Sequence, residues 1–334
     1  MLLIDGSYGE SGGQIIRTSV ALSAITGKPC KIVNIRKNRK NPGLQAQHLK
    51  GIEAATEMCG AELKNARIGS DWIEFIPKKI KSGKFSVDIG TAGSVALVLQ
   101  TIAPICIHAG NEVEIDLTGG TDVQWSPNID YFKEVFCAIA RKMGIEISCE
   151  VLRYGFYPRG GGRIKVRIEP CKKLKPLNLI ERGSVKSYCI RSIASRSLEK
   201  AKVAERQIEG AKKIIPKFDC ESFEYVDAFS PGSTVHMRAH YDNTVLSATV
   251  FGERGKAAEI VGEEAAVNLM KQINSNACLD EHMADQILLY MALAGGSVSV
   301  ADITNHCKTN MWVIEKFLPV KFEIRNNVIR TCLL

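Results

Sequence analysis

Apolar and polar residues along the chain follow the spacing of a strand in some segments and of a helix in others. These segments recur in the same order. A short apolar strand is followed by a helix, a glycine stop, a second strand, a second amphipathic helix and two further strands. This unit appears about three times. The pattern therefore predicts an α/β protein built from three repeated units.

The first two predicted units are continuous in sequence. In the first, strands are predicted over 2–4, 30–35, 62–63 and 72–76, with helices over 14–26 and 45–59. In the second, strands are predicted over 85–89, 113–117, 145–152 and 163–168, with helices over 94–108 and 129–143. Gly27, Gly60, Gly110 and Gly144 follow the predicted helices and are typical helix stops.

The third predicted unit is interrupted. A strand over 177–180 opens it, but the matching helix, 284–294, comes about a hundred residues later, followed by a strand at 298–300, a helix at 311–317 and a strand at 321–324. The segment between has its own predicted strands (188–193, 223–227, 234–240, 247–251) and helices (199–215, 263–273). We therefore expect an inserted α/β domain.

The predicted domain organisation follows from this interruption. Residues 1–182 and 274–334 are expected to form a domain of units at about 1–80, 81–170, and 171–182 with 274–334, and residues 183–273 the insert. Three such units can pack around a common axis. The first helix of each would then point its N-terminus to the centre and favour an anion there.

Composition narrows the class of protein only modestly. The 334 residues are 45% hydrophobic, and a net charge of +8 favours polyanionic partners weakly. Eleven scattered cysteines with no C-x-x-C pair favour reduced thiols and a cytoplasmic location. The longest apolar stretch, 95–108, is broken by Gln100 and Pro104 and predicts no membrane span, and no leader peptide is expected.

Two loops of the first unit carry candidate phosphate-binding chemistry. The glycine-rich loop at 5–13 lets the backbone approach a ligand closely and is followed by Gln14 and Arg17, with Glu10 inside it. It matches neither the dinucleotide nor the phosphate-loop fingerprint, so a simple connection is the alternative. The basic loop at 36–43, followed by Gln47 and His48, suits phosphate oxygens, and its alternative is a solvated turn.

Three features of the second unit have both structural and functional interpretations. Gln100 is a lone amide in a very apolar run, which indicates either a ligand contact or a core side chain satisfied by backbone. Residues 119–122, with Trp125, Ser126 and Pro127 close behind, and residues 154–162 place aromatic rings beside glycine and arginine. Such segments can stack a base, but glycine runs between strands also suit a tight hairpin.

The third unit holds two candidate histidines. His282 and Asp285 lie in a polar run at 281–286, where Asp285 can cap the predicted helix or receive a ribose hydroxyl. His306 lies between the strand at 298–300 and the helix at 311–317, in a loop that should leave it exposed and free to react. A lone histidine is more often structural.

The chain resembles the RNA 3′-terminal phosphate cyclase family from Leu3 to about Phe322. The matching segments, in order, are 5–17, 39–44, 93–94, 119–122, 155–162, 282–286 and 306–310. The resemblance implies three βαβαββ units similar to the C-terminal domain of translation initiation factor 3, with a smaller thioredoxin-like α/β domain inserted in the third unit. That implication agrees with the repeat and its interruption.

The resemblance also implies a three-step reaction. Histidine Nε2 attacks the α-phosphorus of ATP, AMP passes to the RNA 3′-phosphate, and the neighbouring 2′-hydroxyl displaces AMP to give a 2′,3′-cyclic phosphate. A neutral imidazole suits the first step because it is a good nucleophile near pH 7. The implied partners are ATP, an RNA with a 3′-phosphate end, and Mg²⁺ or Mn²⁺.

Site residues are implied by position in the family. His306 matches the adenylylated histidine, and Glu10 matches a carboxylate that binds Mg²⁺ or Mn²⁺. The residues matched to ATP or AMP binding are Gln100, Pro127, His282, Met283, Ala284, Asp285 and Gln286. Those matched to phosphates and the RNA end are Arg17, Arg36, Arg39, Gln47 and His48. Because related enzymes also have tyrosine at the place of His282, either stacking on adenine or hydrogen bonding to it is open.

Two other functions are considered. A non-catalytic relative that assists ribosome assembly would share the fold but lack the nucleophilic histidine, and His306 argues against it. A carboxyvinyl transferase is built from similar units, but its motifs are not evident here. The cellular RNA, the oligomeric state, the preferred metal and the role of the insert are left open by the sequence.

Overall fold

The N-terminal part of the chain forms two four-stranded sheets with the same strand order. The computed structural model describes residues 1–334. The first unit consists of β1 (Leu2–Asp5), α1 (Gly13–Thr26), β2 (Cys30–Val33), α2 (Ala46–Cys59), β3 (Glu62–Lys64) and β4 (Ile73–Ile76). The second consists of β5 (Gly83–Asp88), α3 (Val95–Cys106), β6 (Val113–Gly119), α4 (Ile129–Tyr131), a π-helical turn (Phe132–Phe136), α5 (Cys137–Lys142), β7 (Ile147–Arg153) and β8 (Gly162–Ile168).

The sheet orders are β1-β2-β4-β3 and β5-β6-β8-β7. In both sheets the first two strands are parallel and the remaining neighbours are antiparallel. Gly27 and Gly60 end α1 and α2 with left-handed φ values of 68° and 59°, and Gly144 follows α5 with a φ of 83°. The prediction that Gly110 ends α3 is wrong, since that helix ends at Cys106. Two stretches of sequence with the same hydrophobic pattern therefore give the same topology.

After the third unit's first strand, β9 (Leu177–Leu179), the chain builds a separate sheet. It consists of β10 (Val185–Ser195), a 3₁₀ helix (Arg196–Ala201), α6 (Val203–Lys212), β11 (Cys220–Val226), β12 (Ser233–Tyr241), β13 (Val245–Phe251) and α7 (Ala258–Asn274). The strand order is β11-β10-β12-β13. The predicted helix over 199–215 is divided, because Lys202 adopts a left-handed φ of 49° between the 3₁₀ helix and α6.

The chain then returns to complete the third unit. It adds α8 (Glu281–Ala294), β14 (Gly296–Ser299), α9 (Asn305–Phe317), β15 (Val320–Arg325) and β16 (Val328–Leu333). β9 pairs parallel with β14, and the sheet order is β9-β14-β16-β15, the same as in the other two units. The predicted mixed α/β class is confirmed, whereas the exact domain boundaries and the thioredoxin-like assignment stay predictions.

Two expectations for the third unit are wrong. β16 is absent from the predicted elements, although Asn326 and Asn327 form a turn with φ values of 47° and 60° that returns the chain antiparallel to β15. The last helix begins at Asn305 and not near Met311, since the Thr304 side chain accepts from the N–H of Cys307 and caps it. His306 therefore lies in the first turn of α9 and not in a loop.

Buried apolar side chains form two clusters. The larger has 73 residues and runs through the three repeated units, and the smaller has 15 residues between β10–β13, α6 and α7. No helix is both long enough and apolar enough to traverse a bilayer. The second cluster gives the inserted segment its own core, which supports its description as a separate folding unit.

Candidate active site

A cleft of about 690 Å³ lies where the repeated units meet the inserted segment. Eleven of the fourteen site residues predicted from the sequence line it: Arg17, Arg36, Arg39, Gln47, His48, Gln100, Pro127, His282, Asp285, Gln286 and His306. They come from α1, α2, α3, α8, α9 and the loops before α2 and α4. The structure thus brings together residues that are up to 289 positions apart.

The N-terminus of α1 lies at this cleft and has no side-chain cap. Ser94, Asp280 and Thr304 cap α3, α8 and α9, but Gly12 makes no capping hydrogen bond for α1, whose first turn has no acidic residue. Gly12 and Gly13 line the cleft. Free N–H groups and the helix dipole therefore make this end suitable for a phosphate.

The imidazole of His306 is held by Gln14 of α1. Its Nδ1 lies 2.8 Å from Gln14 Oε1, and the Gln14 amide nitrogen donates to the His306 carbonyl at 3.0 Å and to Asp285 Oδ2 at 3.2 Å. Asn310 ties the same helices together, donating to the Asp285 carbonyl and accepting from Thr18 at 2.6 Å each. Three helices therefore fix the position of one ring.

This network decides which ring nitrogen of His306 carries hydrogen. The Gln14 amide nitrogen faces two acceptors, so the amide cannot be turned over without losing both bonds. Gln14 Oε1 must then face His306 Nδ1, which can pair with it only as a donor. The neutral ring therefore has its hydrogen on Nδ1 and a lone pair on Nε2.

Nε2 of His306 points to Glu10 in the glycine-rich loop. The distance to Glu10 Oε2 is 3.0 Å, and Arg39 lies 3.4 Å from the same oxygen. Burial lowers the pKa of His306; Glu10 opposes this shift, whereas Arg17 and Arg39 reinforce it. The lowered pKa favours the neutral ring, although 48% of the side chain is exposed.

The glycine-rich loop is fastened to the helix that carries His306. The rings of Tyr8 and Trp312 stack at a centroid distance of 4.0 Å and an interplanar angle of 10°. A side chain at Gly9, where φ is 54°, would meet Thr309 Oγ1 at 2.3 Å. Only glycine permits this close approach, and the contact sets where Glu10 stands relative to His306.

Arg17 and Asp285 form the charged floor of the cleft. Burial lowers the pKa of Arg17 to about 10, which leaves it cationic, and the guanidinium has no hydrogen-bond or ion-pair partner in the protein. Burial raises the pKa of Asp285 to about 6, although His282 and Arg17 act in the opposite direction. An unpaired, partly buried guanidinium beside an uncapped helix end is suited to a phosphate.

The other predicted phosphate residues form one wall. Arg36 donates to the carbonyls of Asn41 and Gly43 at 2.6 and 3.3 Å, so it holds the basic loop as well as lining the cleft. Gln47 accepts from the N–H of Ser94. His48 accepts from the N–H of Gln45 through Nδ1, and burial lowers its pKa to about 3, so its Nε2–H is left as a neutral donor.

The opposite side of the cleft holds the residues predicted for adenosine. Gln100 is half-buried, lines the cleft and makes no side-chain hydrogen bond, so the interpretation as a core amide satisfied by backbone is wrong. Pro127, His282 and Gln286 also line it, and His282 is exposed. Asp285 is not the helix cap, because Asp280 has that role and Asp285 lies inside α8.

Met283 and Ala284 do not belong to this set. Both side chains are fully buried in the larger core, and neither residue lines the cleft. Their N–H groups bond to Asp280. Consecutive residues of a helix point in different directions, and only His282, Asp285 and Gln286 of this segment line the cleft, so the assignment of Met283 and Ala284 to ATP binding stays a prediction.

The segment 154–162 is a hairpin that joins β7 and β8 and packs against the insert. A side chain at Gly155 would lie 2.3 Å from the backbone nitrogen of Gly162, and Phe156 is buried against Gly232. None of these residues lines the cleft. The structural interpretation of this segment, a tight hairpin, is therefore the correct one.

The sequence missed the contribution of the insert. Strand β13 supplies Ser247–Phe251 to the cleft wall, and Lys256 and Asn268 add polar groups from the β13–α7 connection and α7. The alternating pattern predicted the strand but gave no sign of which face meets another part of the protein. The positioning role of Gln14 was missed for the same reason, since 292 residues separate it from His306.

Comparisons with known proteins agree on one family. Residues 8–324 match the family described as RNA 3′-terminal phosphate cyclase. The chain is 48% identical to the RNA 3′-terminal phosphate cyclase of Pyrobaculum aerophilum over 96% of this chain and 93% of that protein. It is 44% identical to the proteins of that name from Pyrococcus abyssi, covering 98% and 96%, and Methanococcoides burtonii, covering 99% of each chain.

Proposed function

The chain belongs to the RNA 3′-terminal phosphate cyclase family, and from this premise we propose that it uses ATP to convert an RNA 3′-phosphate end to a 2′,3′-cyclic phosphate through an adenylylated His306. The observation that carries the proposal is the pairing of His306 Nδ1 with Gln14, which directs Nε2 to the cleft, where it lies 3.0 Å from Glu10 Oε2. A non-catalytic relative would have no use for such an arrangement.

In the first step, Nε2 of His306 attacks the α-phosphorus of ATP, the N–P bond forms, and the bond to the β-phosphate oxygen breaks to release diphosphate. Positive charge develops on the ring, and Gln14 Oε1 stabilises it because it accepts the hydrogen on Nδ1. Arg17 and the N–H groups of the uncapped α1 terminus can receive the α-phosphate oxygens.

The donor set suits a cation held jointly by protein and ATP. No group of three or more acidic, histidine or cysteine side chains forms a metal cage in the structure, and Glu10 is the one carboxylate beside His306 Nε2. Mg²⁺ is commonly held by one carboxylate together with substrate phosphates. Such an ion would neutralise charge on the leaving diphosphate, and Glu10 would hold it in place.

In the second step, an oxygen of the RNA 3′-phosphate attacks the phosphorus of the His306 adduct, the N–P bond breaks, and the neutral imidazole returns. In the third, the 2′-hydroxyl oxygen attacks the 3′-phosphorus, its proton goes to solvent, and AMP leaves. Arg36, Arg39 and the Nε2–H of His48 form the wall available to the RNA phosphate. Both later steps require the RNA end and AMP in one cleft.

We place the activity in the cytoplasm. All eleven cysteines are free thiols in the structure, and most are buried. This pattern is typical of a reducing compartment.

Incubation with α-³²P-ATP and Mg²⁺ or Mn²⁺ tests the first step. Label should become attached to the protein by an acid-labile, alkali-stable bond, and His306→Ala should carry none. His108→Ala is the matched control, because His108 lies just after α3 in the second unit, where its Nδ1 pairs with the Pro104 carbonyl. Full labelling of His306→Ala would refute the assignment.

The RNA steps need a separate substrate test. An RNA ending in a 3′-phosphate should acquire a cyclic end, whereas an RNA with a 2′-deoxy terminus should accumulate as the adenylylated intermediate. Cyclic product from the deoxy terminus would contradict attack by the 2′-oxygen.

A further inference from the structure

Trp125 is the most exposed large apolar side chain of the protein. It is 95% exposed, whereas Trp312 stacks on Tyr8 and Trp72 packs beneath the ammonium group of Lys31 at 4.6 Å. Aromatic side chains bury about 150–250 Å² when they are packed, so leaving one in water forfeits hydrophobic stabilisation. The indole lines the cleft, so its exposed face is available to a ligand bound there.

The backbone holds the indole outward. Trp125 has a φ of 59°, in the left-handed region that is unfavourable for a residue other than glycine. Its neighbours are fixed, because Ser126 Oγ donates to the Val123 carbonyl at 2.9 Å and Gln124 donates to Glu253 at 3.3 Å. Asn128 then caps α4. The segment is therefore anchored on both sides of a residue that packs against nothing.

Trp125 also lines the cleft that contains His306, Arg36 and Arg39. The basic loop beside this cleft exposes Lys37 and Lys40 as well. The rim therefore combines positive charges, which attract a phosphate backbone, with one flat aromatic surface, which suits a base. No other exposed tryptophan, tyrosine or phenylalanine lines the cleft apart from half-exposed groups of the insert.

We propose that Trp125 stacks on a base at the 3′ end of the RNA substrate. The inference rests on the proposed function, in which the RNA 3′-phosphate must reach the AMP on His306 and the last nucleotides must cross the rim. The proposed function assigns the adenosine of ATP to Gln100, Pro127 and His282, which line the same cleft. Stacking does not select a base, so it suits an enzyme that recognises an end and not a sequence.

Trp125→Asn is the variant of choice because asparagine tolerates a positive φ and keeps the backbone in place. Loss of one stacked base, about 1–3 kcal/mol, should raise the KM for a 3′-phosphate RNA about 5- to 150-fold. The ATP concentration for half-maximal labelling of His306 without RNA should change less than about twofold. Trp125→Phe should keep most of the RNA affinity.

Tyr157→Asn is the matched control, since Tyr157 is 74% exposed but lies outside the cleft. Its KM for RNA should equal that of the wild type. RNAs that lack the base of the last or the second-last nucleotide complete a double-mutant cycle. With the RNA that lacks the stacked base, the KM of the wild type should equal that of Trp125→Asn.

The outcomes separate the two proposals. Absence of His306 labelling in the wild type would refute the proposed function. Normal labelling with an RNA KM unchanged in Trp125→Asn, or equal losses in Trp125→Asn and Tyr157→Asn, would overturn the stacking proposal alone. A rise in the ATP requirement without RNA would reassign Trp125 to the adenine of ATP.

Discussion

Removing the amide of Gln14 should slow the adenylylation of His306 without blocking ATP binding. Gln14→Leu keeps a side chain of similar size in the buried position but removes the acceptor of His306 Nδ1–H and the donor to Asp285. The bond to Nδ1 matters most in the transition state, because the ring becomes cationic while Nε2 forms its bond to phosphorus. The variant therefore tests one hydrogen bond of the first step.

The size of the effect follows from the charge on the ring. A hydrogen bond to a charged group contributes about 1.5–3 kcal/mol, and a neutral one about 0.5–1.5 kcal/mol. The variant loses the neutral bond in the ground state and the charged bond in the transition state, a difference of about 1–1.5 kcal/mol. At roughly 1.4 kcal/mol for each tenfold change, this difference predicts a rate about 5- to 13-fold lower. Loss of the fixed tautomer acts in the same direction, because a hydrogen on Nε2 would occupy the lone pair.

Single-turnover labelling with α-³²P-ATP at saturating ATP measures this rate directly. Thr18→Val is the matched control: it removes another hydrogen bond between α1 and α9, that from Thr18 to Asn310, without touching the ring. Both variants should lose a comparable free energy of unfolding, about 1–3 kcal/mol, since each leaves buried polar groups unpaired. Only Gln14→Leu should label slowly.

The reasoning would be refuted by a folded Gln14→Leu protein that labels within about twofold of the wild-type rate. Nitrogen-15 NMR of the His306 ring gives a second reading. The wild-type ring should show the hydrogen on Nδ1, and the variant should show a mixture of tautomers. A wild-type ring with the hydrogen on Nε2 would contradict the orientation of the Gln14 amide.

Further changes test other contacts of the structure. Trp312→Ala removes the stack on Tyr8, worth about 0.5–1.5 kcal/mol, and should raise the Mg²⁺ or Mn²⁺ concentration for half-maximal labelling about 2- to 13-fold. Gly13→Ala places a methyl 2.1 Å from His48 Nε2, so both the melting temperature and the labelling rate should fall. Burial, assisted by the carboxylate of Asp130, raises the pKa of Asp122 from 3.8 to about 7. The neutral carboxyl group therefore stabilises the folded protein fully below a pH of 3.8, and this stabilisation is lost as the pH rises through about 7. The free energy of unfolding in urea should therefore fall by up to roughly 4 kcal/mol between about pH 4 and 8, and Asp122→Asn should flatten that fall.

The order of elements could be predicted because local signals specify it. Glycine stops and apolar spacing identified most helices and strands of the three units. Strand pairing could not be derived in the same way, since β9 pairs with β14 across more than a hundred residues. β16 was missed although Asn326 and Asn327 are a strong turn signal.

Helix starts limited the prediction of the site. Thr304, a good cap three residues before Cys307, was a sufficient signal to place His306 inside a helix, and it was overlooked. The matched segment 282–286 was carried over as a block, but a helix turns by about 100° per residue, so Met283 and Ala284 face the core. The network around Gln14 depends on three helices meeting and has no local signal.

The split third unit has a consequence for biosynthesis. β9 leaves the ribosome before the inserted segment, and α8 and α9 leave after it, so the parallel pair β9–β14 must wait for all the residues between. Gln14, made near the beginning, acquires its partner on α9 only when nearly all of the chain has been translated. A nascent or truncated chain that stops before α9 lacks His306 and, under the proposed mechanism, cannot react with ATP until translation is nearly complete.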